Sequence, residues 1–310
     1  MKTHILYRGP QERGDCWQGL FTDSLPNVVW HHWPQVDNKE AIEIMIAWKL
    51  PRDYQQDYPN LKVIFSVGAG VDQLDLATVP SHINLVRMLD PGIAQGMSEF
   101  IAMHVLNIHR DTFSYINLNK TATWSQLPTL ATKQRRVGIL GLGNLGQAAA
   151  QTLLNLGFRV NGWSRSPKQV DGVKCFSGDA QLTDFLAQSD ILVCLLPLTD
   201  QTRGLLNYSV LSHLPKGASV INVGRGEQLI AEDLVALIDS HHLNYAVLDV
   251  FDVEPLADNH ILWQHPKVLV TPHIAAITQN ESAGQVLVEN IQRYLNDEPM
   301  VGKVDKTLGY

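Results

Sequence analysis

The segment "RRVGILGLGNLGQAAAQTLLNLGFRVNGWSRS", Arg135 to Ser166, constrains the fold more than any other part of the chain. It reads as a strand, a glycine-rich turn, a helix and a second strand, the pattern of a βαβ unit with parallel strands. Each glycine of its G-x-G-x-x-G turn has a mechanical task. Gly141 permits a tight turn after the strand, Gly143 lets backbone N–H groups approach a pyrophosphate, and Gly146 permits close packing of helix on strand. Asn144 and Leu145 open the helix, whose N-terminus favours negative charge. Leu145, Ala148, Ala149, Leu153 and Leu156 form its apolar stripe, and Gly157 is its stop signal. Because the turn follows a strand and opens a helix, it is read as a dinucleotide site.

The end of the second strand selects between nucleotides. An Asp or Glu there grips both hydroxyls of an NAD ribose, but this chain has Ser164, Arg165 and Ser166. A carboxylate would repel a 2′-phosphate, whereas a guanidinium pairs with it and serine hydroxyls donate to it. NADPH is therefore the expected cofactor and NADH the weaker alternative, with Lys168 as an assisting cation.

A chain of 310 residues exceeds the usual single core, so two domains are expected. With 45% hydrophobic and 18% charged residues it is globular, and its net charge of -7 opposes general binding to nucleic acid or to anionic membrane. No apolar run approaches the roughly 20 residues that span a bilayer, and "MKTHILYRGP" lacks a secretory apolar region. A cytoplasmic location is expected. Cys16, Cys175 and Cys194 have no ligand spacing, and His31-His32 and His241-His242 are adjacent pairs unlike helix-borne metal ligands. No metal site is expected.

Short apolar runs alternate with helical patterns along the chain, which gives an α/β class with doubly wound parallel sheets. "THILY", "IEIMIAW", "LKVIFSVGAGVD" and "INLVRML" are the expected N-terminal strands. "GMSEFIAMHVLNIHRDTFSYINLNK" reads as one long joining helix with Met97, Ile101, Val105 and Ile108 on a stripe. Val286, Val288 and Ile291 mark a C-terminal amphipathic helix, and its return to the N-terminal unit would make that domain discontinuous. "SVGAGVD" loosely echoes "ILGLGNLG".

Three later strands carry polar residues just past their ends: Arg225 after "ASVINV", Glu254 after "YAVLDV" and His273 after "KVLV". In doubly wound sheets ligands bind outside the carboxyl ends of the strands, so the three can converge on one site. Separately, Arg225 reads as a solvated turn cation, Glu254 as a helix-start acid and His273 as a satisfied loop histidine. Together with the glycine turn they read as catalytic.

The segments "GAGVD", "VGILGLGNLG", "LLPLTDQTRGLL", "INVGRGEQL", "LDVFDVEPL" and "TPHIAAIT" make the chain resemble the D-isomer-specific 2-hydroxyacid dehydrogenases over nearly its whole length. Trp48 in "IAWKLP", "LWQHPKVLVTPHIAAIT" and the terminal "LGY" are similar to the glyoxylate/hydroxypyruvate reductase A group of that family. The resemblance implies two Rossmann-like domains with a cleft between them: a discontinuous substrate domain, 1–101 plus 278–310, and a dinucleotide-binding domain, 102–277. It also implies a homodimer.

By the same resemblance Arg225 holds the substrate carboxylate, His273 is the general acid, and Glu254 orients the imidazole and favours its protonated form. Leu196, Pro197, Thr202, Val223, Gly224 and Asp249 join the glycine turn as cofactor contacts, Asp249 near the nicotinamide carboxamide. Backbone N–H groups of Ala69 and Gly70 take the other carboxylate oxygen, and Trp48 closes over a small substrate. The expected activity is NADPH-preferring reduction of small 2-oxo acids, glyoxylate and hydroxypyruvate first. The alternatives are an NAD-linked dehydrogenase of another 2-hydroxy acid and a dinucleotide-dependent sensor or corepressor without turnover.

Overall fold

The computed structural model describes residues 2–306, so the terminal "LGY" lies outside the described residues. The chain forms two compact units, one from the described residues up to Ile93 together with those from Ile277 onward, the other from Ala94 to Ala276.

The first unit holds five strands: β1 (Thr3–Arg8), β2 (Val28–His32), β3 (Ile42–Ala47), β4 (Val63–Ser66) and β5 (Asn84–Val86). They are all parallel, in the order β2-β1-β3-β4-β5. The inner strands are mostly buried, with apolar centres, as a parallel sheet covered on both faces requires. Edge strand β2 was not among the expected strands. Its sequence, VVWHH, ends in the polar His31 and His32, and every one of its residues is only half-buried.

Helix Asn280–Leu295 returns to this unit and packs on helix Gln11–Ser24. The two come close because Gly284 lies against Leu20 and Trp17, and the Trp17 indole donates to the Asn280 carbonyl at 2.6 Å. The buried seam is Ala283, Leu287, Val288 and Ile291; Val286, one residue out of phase, is only half-buried.

The second unit holds seven strands: β6 (Arg136–Leu140), β7 (Arg159–Ser164), β8 (Lys174–Ser177), β9 (Ile191–Cys194), β10 (Ala218–Asn222), β11 (Leu243–Leu248) and β12 (Val268–Val270). Their order is β12-β11-β10-β9-β6-β7-β8, again all parallel, with the order reversing between β6 and β9. Such a reversal is where doubly wound sheets take nucleotides.

The expected single joining helix is two helices. Pro91–His109 stops, Asp111 takes a left-handed conformation with φ 56°, and a second helix runs over Thr112–Lys120. Met97, Ile101, Val105 and Ile108 pack into the core beside β6 and β9. The second compact unit begins at Ala94, in the first turn of this helix. Among the described residues no helix is long and apolar enough to cross a membrane.

Candidate active site

Register aligns the carboxyl ends of five neighbouring strands of the second unit. Leu140 of β6 lies beside Cys194 of β9, Cys194 beside Asn222 of β10, Asn222 beside Leu248 of β11, and Leu248 beside Val270 of β12. The segments that begin at Gly141, Leu195, Val223, Asp249 and Thr271 thus leave one edge of the sheet.

The glycine turn has the geometry that its sequence demands. Gly141 has φ +106°, and a Cβ at Gly146 would lie 1.9 Å from the Gly141 carbonyl oxygen, so helix and turn touch backbone to backbone. Nothing lies within 4 Å of the Cβ position at Gly143. Helix Asn144–Asn155 has no side-chain cap, which leaves its first N–H groups, at Asn144, Leu145 and Gly146, as donors for an anion. This donor set fits a dinucleotide pyrophosphate. Ala149, Ala150 and Leu153 are the buried stripe of the helix, whereas Leu156 is 40% exposed, because the helix closes there through bonds from Gly157 and Phe158 N–H to Leu154 and Leu153 carbonyls.

At the end of β7 the three polar residues divide their work. Ser164 is buried and its hydroxyl donates to the Ser166 carbonyl at 2.8 Å, so it shapes the turn, while Arg165 and Ser166 are exposed. The Lys168 ammonium donates to the Leu142 carbonyl of the glycine turn at 2.7 Å. The Thr202 hydroxyl donates to the Pro197 carbonyl at 2.7 Å and accepts from the Thr199 N–H at 2.9 Å, which knits the loop after β9. Leu196 and Val223 are core residues.

Glu254 and His273 meet as the sequence leads one to expect. His273 Nδ1 lies 2.8 Å from Glu254 Oε2, while Glu254 Oε1 accepts from the Phe251 N–H at 3.0 Å. An ionised carboxylate only accepts, so Nδ1 carries the proton of that bond and Nε2 is left for a reactant. His273 itself has φ 54°, a left-handed conformation that a non-glycine residue holds only when its surroundings enforce it.

Asp249 supplies that enforcement. It is 1% exposed, and its carboxylate accepts from the Thr271 hydroxyl at 2.6 Å, the Ile274 N–H at 2.9 Å and the Ala275 N–H at 2.8 Å. These three hydrogen bonds of its carboxylate hold the loop that carries His273, while its N–H donates to the Asn222 carbonyl of β10 at 3.1 Å. Burial holds the pKa of His104, on the helix Pro91–His109, below its usual value, and the Asp249 charge opposes that shift.

Arg225 follows β10 in a turn built by close approach. A Cβ at Gly226 would fall 1.8 Å from the Phe251 backbone carbon, so only glycine lets this turn reach the segment leading to Glu254. The Arg225 guanidinium donates to the Gly224 carbonyl at 2.7 Å, and Asn222 Nδ2 donates to the Arg225 carbonyl at 3.1 Å. Gln228, which drew no attention in the sequence, holds the same turn from beneath; no signal short of its burial marks it.

The first unit carries the remaining expected residues in one place. Trp48 is 38% exposed and its ring lies on Gly68, where a Cβ would come within 2.6 Å of it. Beside it the loop of Ala69 and Gly70 is tied from inside: Ser66 Oγ accepts from the Gly68 N–H at 3.3 Å and donates to the Gly70 carbonyl at 3.0 Å, and Gln73 Nε2 reaches Ser66 Oγ at 3.1 Å. No hydrogen bond among the described residues uses the Ala69 or Gly70 N–H.

Comparison with known proteins agrees with this geometry. A family model described as D-isomer specific 2-hydroxyacid dehydrogenase, NAD binding domain, matches residues 102–275. A glyoxylate/hydroxypyruvate reductase A from Photorhabdus laumondii is 40% identical, with 99% of each chain covered. A D-isomer specific 2-hydroxyacid dehydrogenase from Xanthobacter autotrophicus Py2, solved with NADPH and MES, superposes with a TM-score of 0.95 at 38% identity over 100% of both chains. An NADPH-dependent glyoxylate/hydroxypyruvate reductase from Sinorhizobium meliloti, solved with NADP and sulfate, gives a TM-score of 0.91 at 33% identity, again over 100% of both chains. With its glycine turn, its His273–Glu254 pair and these likenesses along its full length, the chain belongs to the D-isomer specific 2-hydroxyacid dehydrogenase family and is an NAD(P)-dependent oxidoreductase.

Proposed function

We propose that the protein is an NADPH-preferring reductase of small 2-oxo acids, converting glyoxylate to glycolate and hydroxypyruvate to D-glycerate. The observation that carries the reading is the His273–Glu254 pair at 2.8 Å, on the sheet edge from which the Arg225 turn and the glycine turn also leave. The nicotinamide of the cofactor supplies the hydride when bound.

The side chains of the protein do the rest. Arg225 binds the substrate carboxylate through the fork of its guanidinium and draws charge from the adjacent carbonyl. His273 Nε2 gives a proton to the carbonyl oxygen as it gains negative charge, and takes one back in the oxidative direction. Glu254 fixes the imidazole orientation and stabilises the imidazolium. Ala69 and Gly70 N–H groups take a carboxylate oxygen, with Trp48 excluding water from a small substrate.

Asn144, Leu145, Gly146, Pro197 and Gly224 hold the dinucleotide. Arg165, with Ser166 and Lys168, pairs with the 2′-phosphate that NADH lacks. The relatives from Photorhabdus and Sinorhizobium bear names that support the substrate, and the NADPH and NADP in the solved structures support the cofactor. A homodimer, on family resemblance, and a cytoplasmic location complete the reading.

The test is loss of reduced-nicotinamide absorbance with glyoxylate or hydroxypyruvate, NADPH and NADH in parallel. Faster NADPH oxidation is expected. A preference for NADH would remove the 2′-phosphate assignment and leave an NAD-linked dehydrogenase. Silence with every 2-oxo acid would sink the reductase in favour of a sensor.

A further inference from the structure

Gln228 is 0% exposed and lies one turn past Arg225. A buried amide without partners costs about 1–3 kcal/mol, so what satisfies it is informative. Its Oε1 accepts from the Arg225 N–H at 2.9 Å and from the Cys194 thiol at 3.4 Å. Its Nε2 donates to the Leu196 carbonyl at 2.9 Å and to the Pro197 carbonyl at 3.0 Å. Both donors and both acceptor positions are used, and the pairing fixes which end is oxygen: one end faces N–H and S–H, the other faces two carbonyls.

Those partners belong to two loops with different work. Leu196 and Pro197 follow β9, on the cofactor side of the proposed site, and Arg225 follows β10 and binds substrate. Space is as closely set as the hydrogen bonds. A Cβ at Gly224 would come within 2.4 Å of Gln228 Oε1 and 3.0 Å of the Leu196 carbonyl oxygen, while Gly226 is pressed on Phe251 from the other side. The backbone carrying Arg225 is held between these contacts, so a shift of the Gln228 amide moves the Arg225 Cα. An apolar side chain of similar length would fill the volume without fixing the position, because dispersion has little direction.

We infer that Gln228 is a positioning residue for substrate: it locks the Arg225 turn to the cofactor-side loop after β9 and so sets where the guanidinium meets the carboxylate of the 2-oxo acid. The inference rests on the reductase reading. It assigns Gln228 no contact with substrate or cofactor.

Two variants test it. Gln228→Met keeps length and loses the amide; kcat/KM for glyoxylate should fall about 10- to 100-fold, as small misplacements of positioned groups do, mainly through KM. NADPH affinity, measured by quenching of protein fluorescence without substrate, should stay within about threefold, while oxalate binding to the NADP-loaded protein falls in step with the KM change. Gln228→Glu gives a distinct signature. Its neutral acid can donate to the Leu196 or Pro197 carbonyl and its carboxylate cannot, so kcat/KM relative to wild type at the same pH should recover as pH falls.

A folded Gln228→Met with wild-type KM and oxalate affinity would overturn the inference. Equal losses of NADPH and oxalate binding would also do so, since they describe general loosening. A wild-type protein inactive toward every 2-oxo acid would instead overturn the reading beneath it.

Discussion

Two glycine-bearing loops follow parallel strands, Val67–Asp72 after β4 and Gly141–Gly146 after β6, and they diverge in what comes next. After β6 a helix begins at once, and its uncapped first turn gathers N–H donors where a pyrophosphate can lie. After β4 the next helical residues are a 3-10 turn at Leu76–Thr78, ten residues on. The loop folds over Ser66, whose hydroxyl takes the Gly68 N–H and gives to the Gly70 carbonyl, so the turn is tied inward and the Ala69 and Gly70 N–H groups are left over. Glycine spacing says only that backbone must come close to something. In the proposed reading the element after it decides whether that ligand is as large as a dinucleotide or as small as one carboxylate.

The sharpest break between binding and chemistry is expected at His273. His273→Ala should lower turnover by about 10²–10⁴ while NADPH affinity, read by fluorescence titration, stays near wild type. An active variant would leave both loops as binding devices with no proton donor between the steps they serve.

Gly146→Ala attacks the β6 loop. The added methyl would meet the Gly141 carbonyl oxygen at 1.9 Å, and neither backbone can yield without opening the turn. Overpacking of this kind costs about 1–3 kcal/mol, so NADPH and NADH affinity should fall together by about 10- to 100-fold with a lower melting temperature. Unchanged affinity would show that the helix N-terminus is not the anion site. Arg165→Ala should instead separate the two cofactors. Losing charge-assisted hydrogen bonds worth about 1.5–3 kcal/mol should raise the NADPH Michaelis constant by about tenfold or more and leave the NADH constant nearly unchanged. Equal effects on both would mean that the guanidinium meets the adenine or the shared phosphates.

How much of this was legible before the structure follows from where each signal resides. Gly141, Gly143 and Gly146 are local signals, because turn and helix start are set within a few residues. The placement of Arg225, Glu254 and His273 past one sheet edge was legible because each follows a strongly apolar strand, and strand ends in a parallel sheet share an edge. The left-handed backbone of His273 was not legible, since Asp249 imposes it across the sequence from an adjacent strand end. Gln228 looks like a solvent-facing turn residue until tertiary packing buries it. Asp111 breaks the joining helix although the apolar period continues in sequence, and β2 and β8 escaped because short, half-polar edge strands carry little periodic signal.

The smallest expected effect probes the β4 loop. Ser66 is 1% exposed, and its hydroxyl stands between the Gly68 N–H, the Gly70 carbonyl and the Gln73 amide. Ser66→Ala leaves the Gly68 N–H buried without that acceptor, at a cost of about 1–3 kcal/mol in stability. The Gly70 carbonyl keeps a weak contact with Gln73 at 3.4 Å, so the loop should loosen and not collapse. The KM for glyoxylate should then rise about three- to tenfold, because the Ala69 and Gly70 N–H groups lose their fixed direction. NADPH affinity should not change, since nothing in the glycine turn after β6 depends on Ser66. Ser66→Thr keeps the hydroxyl and should restore the KM. If both variants share one raised KM, packing at the strand end explains the loop. If Ser66→Ala alone has it, the hydroxyl aims the two N–H groups at a carboxylate, and the two glycine loops differ in ligand as well as in shape.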